Sequence, residues 1–270
     1  MRTSNPALSD SAFARATGTD ESRAGWAAPT TIPAAPDEVS PWQSTTDEMT
    51  VGGTVSATAV LLVLLCAGAF VGWNSVETRL GSVELPGWIF LTLFGALGLA
   101  IATIFRPQWA RVTAPLYAIT EGTVVGAISN LYERELDGIV LQAAIGTFGV
   151  LGVMLFLHAT RIIKVTDKFR MGVVMATGAI ALMYVVSMLF RLFGSEIPFL
   201  HDTGTVGILI SVAIVVVASL NLILDFDFVE RGVAARAPKA TEWYAAFGLV
   251  LTLVWLYLEL LRLLSKLQRD

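Results

Sequence analysis

Residues 220–232 read LNLILDFDFVERG, and this stretch decides how the chain is interpreted. It closes an uninterrupted apolar run that is long enough to cross a bilayer. Two aspartates, Asp225 and Asp227, stand near the end of that run. A carboxylate at membrane depth costs about 3 kcal/mol or more unless it finds a partner or keeps its proton. The stretch therefore predicts a membrane-spanning helix that carries a functional acid.

The composition of the whole chain is that of a membrane protein. Of its 270 residues, 55% are hydrophobic and 15% are charged, and the mean hydropathy is +0.69. A soluble domain has about 25% charged residues. The net charge of -4 does not favour a nucleic-acid partner. A single cysteine, Cys66, excludes an intrachain disulfide and a cysteine metal cluster.

The N-terminal segment, residues 1–48, differs from the rest of the chain. It is rich in Ala, Ser, Thr and Pro and has no apolar segment, which is typical of a disordered tail. A cleaved signal peptide would need an apolar core, and this segment has none. The sequence predicts a disordered cytoplasmic tail at 1–48 and a membrane domain at 49–270.

Seven apolar segments of roughly 20 residues recur from residue 51 onward, each long enough to cross a hydrocarbon core about 30 Å thick. They lie at about 51–73, 86–105, 113–132, 138–158, 171–193, 204–228 and 243–265. Short polar connectors separate them, so neighbouring helices must pack side by side. The predicted fold class is therefore all-α integral membrane, a bundle of seven transmembrane helices.

The basic residues of the connectors predict the orientation, because Lys and Arg near the ends of spans stay in the cytoplasm. Connectors two, four and six carry most of them: Arg106, Arg111, Arg161, Lys164, Lys168, Arg170, Arg231, Arg236 and Lys239. The odd-numbered connectors have Arg79, Arg134 and Arg191. This distribution predicts a cytoplasmic N-terminus in the cell membrane. Arg262, Lys266 and Arg269 near the C-terminus would instead favour keeping that end inside as well.

Two short stretches contain the G-x-x-x-G spacing, GAFVG at 68–72 and EGTVVG at 121–126. Glycines four residues apart remove side chains from one helix face, so a neighbouring backbone can approach closely. We predict that both stretches take part in tight helix packing.

Four acids lie at or within the predicted spans: Glu121, Asp225, Asp227 and Glu259. In span six, Asn221 and Asp225 share one face, whereas Asp227 points about 200° away from Asp225. The two aspartates therefore cannot face one partner. Asp225 is the deeper aspartate. Either it binds a proton or a cation as part of the function, or it forms a purely structural pair with a nearby arginine. Asp227, as a residue of the last turn, is expected to reach the interface.

The acids of spans three and seven have polar neighbours at helical spacing. Tyr117 and Glu121 share a face of span three, and a glutamate at this depth needs a partner or its own proton. Glu121 is thus either a neutral hydrogen-bonded group or a functional one.

In span seven, Thr252, Trp255 and Glu259 line one stripe, because their spacing of three and four residues is that of one helix face. Arg262 lies three residues beyond Glu259, so a local ion pair is the structural interpretation of Glu259. A place in the same polar site as Asp225 is the alternative.

Motifs of known enzymes are absent from the sequence, including H-E-x-x-H, G-x-S-x-G and the P-loop. His158 and His201 lie at span edges or in a loop, with no second metal ligand at a suitable spacing. We expect neither an enzymatic activity nor a bound cofactor.

The ends of spans six and seven resemble a known family. LILDFDFVERG at 222–232 and LTLVWLYLELLRLLSKL at 251–267 are similar to the Bax inhibitor family, the transmembrane Bax-inhibitor-motif proteins, in its bacterial branch. The resemblance covers about residues 50–268. It implies a seven-helix bundle with the last helix near its centre, a pH-sensitive leak of Ca²⁺ across the membrane, and a role in stress survival.

In that family an aspartate on span six and one on span seven share a proton and close the pore. Asp225 matches the first aspartate and so becomes the candidate Ca²⁺ ligand, whereas Thr252 stands where the family has the second. The candidate substitute partners of Asp225 are then Asp227, Glu121 and Glu259. The supporting polar residues are Asn221, Thr252, Tyr117 and Arg106.

Two classes of function follow. The first is a pH-sensitive Ca²⁺ leak channel or cation/proton exchanger, since carboxylates in contact exchange a proton readily and oxygen ligands suit Ca²⁺. The second is a non-transporting stress-response regulator that binds a membrane protease or another membrane protein. The expected partners are the lipid bilayer with Ca²⁺ and H⁺, or such a protein.

Overall fold

The structure is a computed structural model of the chain, and it describes residues 48–79, 82–84, 86–192 and 204–269. The predicted disordered tail, apart from Glu48, lies outside these residues. So does the fifth connector at 193–203, which includes His201.

Seven long helices make up most of the described chain. They are α1 Val51–Asn74, α2 Gly87–Phe105, α3 Ala110–Glu135, α4 Ile139–Ala159, α5 Asp167–Leu192, α6 Thr205–Ala234 and α7 Ala240–Arg269. All except α3 are long and apolar enough to cross a membrane. The prediction of a helical protein with several membrane-spanning segments is confirmed.

Two connectors contain short regular elements. Strands β1 (Glu77–Arg79) and β2 (Ser82–Glu84) pair antiparallel between α1 and α2. A single 3₁₀ turn, Pro107–Trp109, joins α2 to α3. The polar loop predicted between the first two spans is therefore partly a hairpin, but the helical class of the fold is unchanged.

Helix α6 is longer than the sequence predicted. It continues to Ala234 instead of ending near residue 228. Arg236, with a positive φ of 50°, and Pro238 close the chain reversal that follows it. Asp227 therefore lies about two turns inside the helix end, and its predicted position in the last turn is wrong.

Glycines bring α1 and α3 into direct backbone contact. A Cβ built on any one of four glycines would collide with a carbonyl oxygen of the facing helix: Gly68, Gly72, Gly122 and Gly126. Only glycine permits so close an approach. The predicted tight packing is confirmed, and the two glycine pairs lie against each other.

Helix α7 contacts α1, α3, α4 and α6. Half of its most apolar 18-residue window is buried, the largest share among the six candidate spans. Phe247 and Val254 of α7 belong to a core cluster with α1, α2 and α3, whereas Leu249 and Leu253 belong to one with α6. Apolar packing along α7 thus joins the two clusters.

Candidate functional site

Asp225 on α6 faces α7. A Cβ built on Gly248 would lie 3.8 Å from Asp225 Oδ1. The hydroxyl of Thr252, one turn further along α7, is a hydrogen-bonding partner of the same carboxyl group. Gly248 and Thr252 are four residues apart and therefore share one face. The Asp225 carboxyl group therefore lies at the contact between α6 and this face of α7.

The second oxygen of this carboxyl group, Oδ2, has no hydrogen-bond partner. It is buried, and it is the only buried side-chain nitrogen or oxygen left without a partner within the described ranges. Asp225 also forms no ion pair with any residue that the structure describes. Buried polar atoms are normally hydrogen-bonded, so an orphaned oxygen calls for an explanation such as a proton, an ion or a water molecule.

Asp227 points away from Asp225, toward α5. Arg170 Nη2 of α5 donates to Asp227 Oδ2 at 3.0 Å, and Arg231 Nε donates to the same oxygen at 2.8 Å. The side chain of Asp227 is only 16% exposed. Asp227 is therefore a largely buried, ion-paired acid and not the last-turn acid that was predicted, because α6 continues past this residue and α5 supplies an arginine. The prediction that the two aspartates face different partners is confirmed.

Glu259 on α7 is buried and fully bonded. It accepts hydrogen bonds from Arg262 Nη1 at 2.8 and 2.9 Å, Tyr184 Oη of α5 at 2.5 Å and Trp255 Nε1 at 3.3 Å. The Arg262 guanidinium also lies 5.1 Å from the centre of the Tyr184 ring. The predicted local pair of Glu259 with Arg262 is confirmed. Because its bonds are taken up here, Glu259 is not the substitute partner of Asp225.

A polar stripe on α5, consisting of Arg170, Thr177 and Tyr184, carries the contacts of that helix with these acids. The three residues are seven positions apart, which places them on one face. Their hydrogen-bonding partners on α6 and α7 are Asp227, Asn221 and Glu259. Asn221 Nδ2 donates to Thr177 Oγ1 at 2.8 Å. The amide of Asn221 therefore bonds to α5 and not to the carboxyl group of Asp225.

The family model described as Bax inhibitor 1 like matches residues 5–269 of the chain. The chain belongs to the Bax inhibitor 1 like family. The match begins within the N-terminal segment, so it extends beyond the range of about 50–268 that the resemblance suggested. No curated protein matches the chain significantly.

The family's second aspartate position faces Asp225 in this structure. Thr252 is the residue that the resemblance places there, and it is the one that interacts with the Asp225 carboxyl group. The three acids predicted as substitute partners are not found there. This member of the Bax inhibitor family therefore pairs a carboxyl group with a hydroxyl group between α6 and α7.

Tyr117 and Glu121 lie apart from that pair. The ring of Tyr117 is buried and packs edge-on against Phe247 of α7, with 5.0 Å between ring centres. Glu121 is partly buried, and it makes no hydrogen bond or ion pair in the part of the chain described. Their helix, α3, makes little or no contact with α6. The structure thus brings Tyr117, but not Glu121, to the helix that carries Thr252.

Arg106 also lies apart from the acids. It is exposed at the end of α2, with its guanidinium 5.8 Å from the centre of the Trp109 ring. A supporting role at Asp225 is therefore not visible in the geometry.

Glu242 is a buried acid that was not among the predicted site residues. Its Oε1 accepts hydrogen bonds from the Thr50 backbone N at 2.9 Å and from Thr50 Oγ1 at 3.0 Å. Glu242 lies one residue before the predicted last span, so the pattern of spans did not mark it as an acid at membrane depth. Thr50 caps the N-terminus of α1. A Ser or Thr just before an apolar run is the sequence signal for such a cap, and it could have indicated that this helix end has polar contacts.

His158 contacts the carboxylate of Glu230. Its Nε2 lies 3.3 Å from Glu230 Oε2, and Arg161 binds the same carboxylate. No group of three or more His, Cys, Asp or Glu residues in the described ranges could hold a metal ion. Any cation at Asp225 would therefore be held by few protein ligands.

Proposed function

We propose that this protein is a pH-sensitive Ca²⁺ leak channel or cation/proton exchanger, with Asp225 as its sensor. The observation that supports this proposal is the buried Oδ2 without a partner at the α6–α7 contact. A protonated carboxyl group can sit there as a neutral group, whereas an ionised one places an uncompensated charge between two helices. Loss of the proton thus favours a state in which water or a cation reaches the oxygen.

The threonine opposite Asp225 limits the sensor to one titrating group. Thr252 can donate a hydrogen bond to a carboxylate, but it cannot hold the second charge of a carboxyl pair. Two coupled carboxyl groups would lose their protons in two separated steps. A single carboxyl group should give one transition in the pH dependence of the flux.

Weak ligation suits a leak. Ca²⁺ takes 6–8 oxygen ligands, and Asp225 and Thr252 offer only a carboxylate and a hydroxyl, so water would supply most of the others. Conduction requires that an ion bind strongly enough to enter a site and weakly enough to leave it. We propose Ca²⁺ as the transported ion on these grounds, with H⁺ as the regulator or counter-ion.

We further propose that all seven helices cross the plasma membrane, with α7 near the centre and the N-terminus in the cytoplasm. The 26 residues of α3 would extend about 39 Å, enough to span the hydrocarbon core. Its polar residues are compatible with a span because half of the helix is buried against other helices. A cysteine placed at Lys168 after Cys66→Ser should react with an impermeant maleimide only from the inside. Reaction only from the outside would reverse the orientation.

The rival function is a non-enzymatic membrane regulator that binds a membrane protease or another membrane protein. The observation in its favour is that two of the acids bond to α5: Asp227 forms an ion pair with Arg170, and Glu259 accepts a hydrogen bond from Tyr184. If Asp225 served packing alone, the protein would not need to move ions.

Ca²⁺ flux into proteoliposomes at two pH values separates these functions. The wild type should show a flux that changes with pH, and Asp225→Asn should lose that change while retaining the fold. Asp227→Asn is the matched control, because Asp227 lies on the same helix but its Oδ2 already has two arginine partners. Its flux should keep the pH response of the wild type. Absence of flux at both pH values, or an unchanged pH response in Asp225→Asn, would favour the regulator.

A further inference from the structure

A cavity of about 560 Å³ lies between α1, α3, α4 and α7, away from Asp225. Its walls are almost entirely apolar and include Leu65, Phe70, Val125, Phe148 and Leu253. Two of its few polar groups, Ser129 and Tyr257, satisfy each other through a hydrogen bond of 2.7 Å. The cavity therefore offers little to a polar ligand and much to a hydrocarbon.

The cavity opens sideways between α1 and α4. These two helices make little or no direct contact with each other, and both are candidate membrane spans. Phe70 and Phe148 line it from the two helices and are 73% and 58% exposed. In a protein of this family the exposed faces of such helices meet lipid, so the opening faces the hydrocarbon of the bilayer.

We propose that this cavity binds one acyl chain of a membrane lipid. Water does not fill an apolar cavity, and an empty one forfeits the dispersion contacts of its walls. Its volume lies within the range of about 300–1,000 Å³ that is common for small-molecule sites. A helix of a second copy is too thick, because a cylinder about 10 Å wide would fill this volume within little more than one turn.

The end of α1 indicates how the lipid lies. Trp73 and Asn74 line the cavity where α1 ends, and Asn74 is exposed. Tryptophan is enriched at the level of lipid headgroups. The lipid headgroup therefore lies beside Asn74, and the chain runs from there past Cys66 toward Leu253 of α7. This inference is independent of the role proposed for Asp225.

Photolabelling in proteoliposomes tests it, with a phosphatidylcholine that carries a diazirine on one acyl chain. Leu253 and Val254 are buried, at 4% and 6% exposure, so a label carried by hydrocarbon can reach them only through the cavity. We expect label on residues 253–257 of the wild type. Ala144→Phe, which fills the cavity from α4, should reduce it roughly tenfold because the site is lost.

Ile145→Phe is the matched control, since it adds the same ring on the next residue, which is 64% exposed and lies outside the cavity. Its label on 253–257 should equal that of the wild type. If Ala144→Phe does not fold, Cys66→Trp blocks the same cavity from an exposed position on α1. Absence of label on 253–257 in the wild type, or equal label in the blocked and control variants, would overturn the proposal. So would a dimer cross-linked through the lining residues.

Discussion

Asp225 and Glu259 both lie against or on α7, yet their carboxyl groups have opposite surroundings. Glu259 is bonded by a tyrosine, a tryptophan and an arginine. Asp225 has Thr252 as a partner, but its Oδ2 has no hydrogen-bond partner among the residues that the structure describes. Position within an apolar helix is therefore a weaker guide to the role of an acid than the bonding of its oxygens. An acid whose bonding is complete is a structural part, whereas one with an open position can respond to a proton or a cation.

The largest expected effect is on stability at Glu259. Glu259→Gln removes the negative charge and leaves Arg262 without its ion pair. Because Arg262 is 35% exposed and can recover some hydration, we expect a loss of about 2 kcal/mol in unfolding free energy instead of the full cost of a buried pair. Unfolding by SDS titration in mixed micelles would measure it. Stability equal to the wild type would remove the contrast with Asp225.

Asp225→Asn should have a smaller effect on stability. The amide oxygen can still accept a hydrogen bond from Thr252, and the amide nitrogen replaces Oδ2, an atom that has no partner to lose, so we expect a change within about 1 kcal/mol. The same SDS titration provides the measurement. A loss as large as that of Glu259→Gln would show that Asp225 also holds the bundle together, and would weaken its assignment as a sensor.

Thr252→Asp sharpens the comparison by giving Asp225 a carboxyl partner. Two carboxyl groups in contact titrate as a coupled pair, so the single transition expected for the wild type should split or broaden over a wider pH range. Ca²⁺ flux measured at closely spaced pH values would show this. An unchanged profile would mean that residue 252 does not face Asp225 in the conducting state.

The smallest effect is expected at Gly248, the other α7 residue beside Asp225. A Cβ there would meet Asp225 Oδ1 at 3.8 Å, an ordinary contact distance. Gly248→Ala should therefore change the unfolding free energy by no more than about 1 kcal/mol, the scale of the helix-propensity difference. Its pH response should match the wild type. A lost response would show that space at this position, and not the open oxygen, controls the site.

The facing of residue 252 toward Asp225 is what the resemblance to the Bax inhibitor family implied. The helices could be predicted from the sequence, since apolar length and helical periodicity are properties of single segments. The partners of Asp227 and Glu259 on α5 could not. Arg170 and Tyr184 reach them only because of how α5 is rotated and tilted against its neighbours, which periodicity within one segment does not determine. The C-terminal end of α6 was predicted about six residues too early. The prediction followed apolar residues, whereas the residues after Asp227 are polar and still helical.

The polar stripe of α5 has a consequence for how this helix is held. Only 11% of its most apolar 18-residue stretch is buried, so little apolar packing supplements the polar contacts of Arg170, Thr177 and Tyr184. Hydrogen bonds between membrane helices are worth about 0.6–1.7 kcal/mol each. Helix α5 is therefore attached more by a few directional polar bonds than by apolar burial, so a change at any one residue of its stripe should loosen the whole helix.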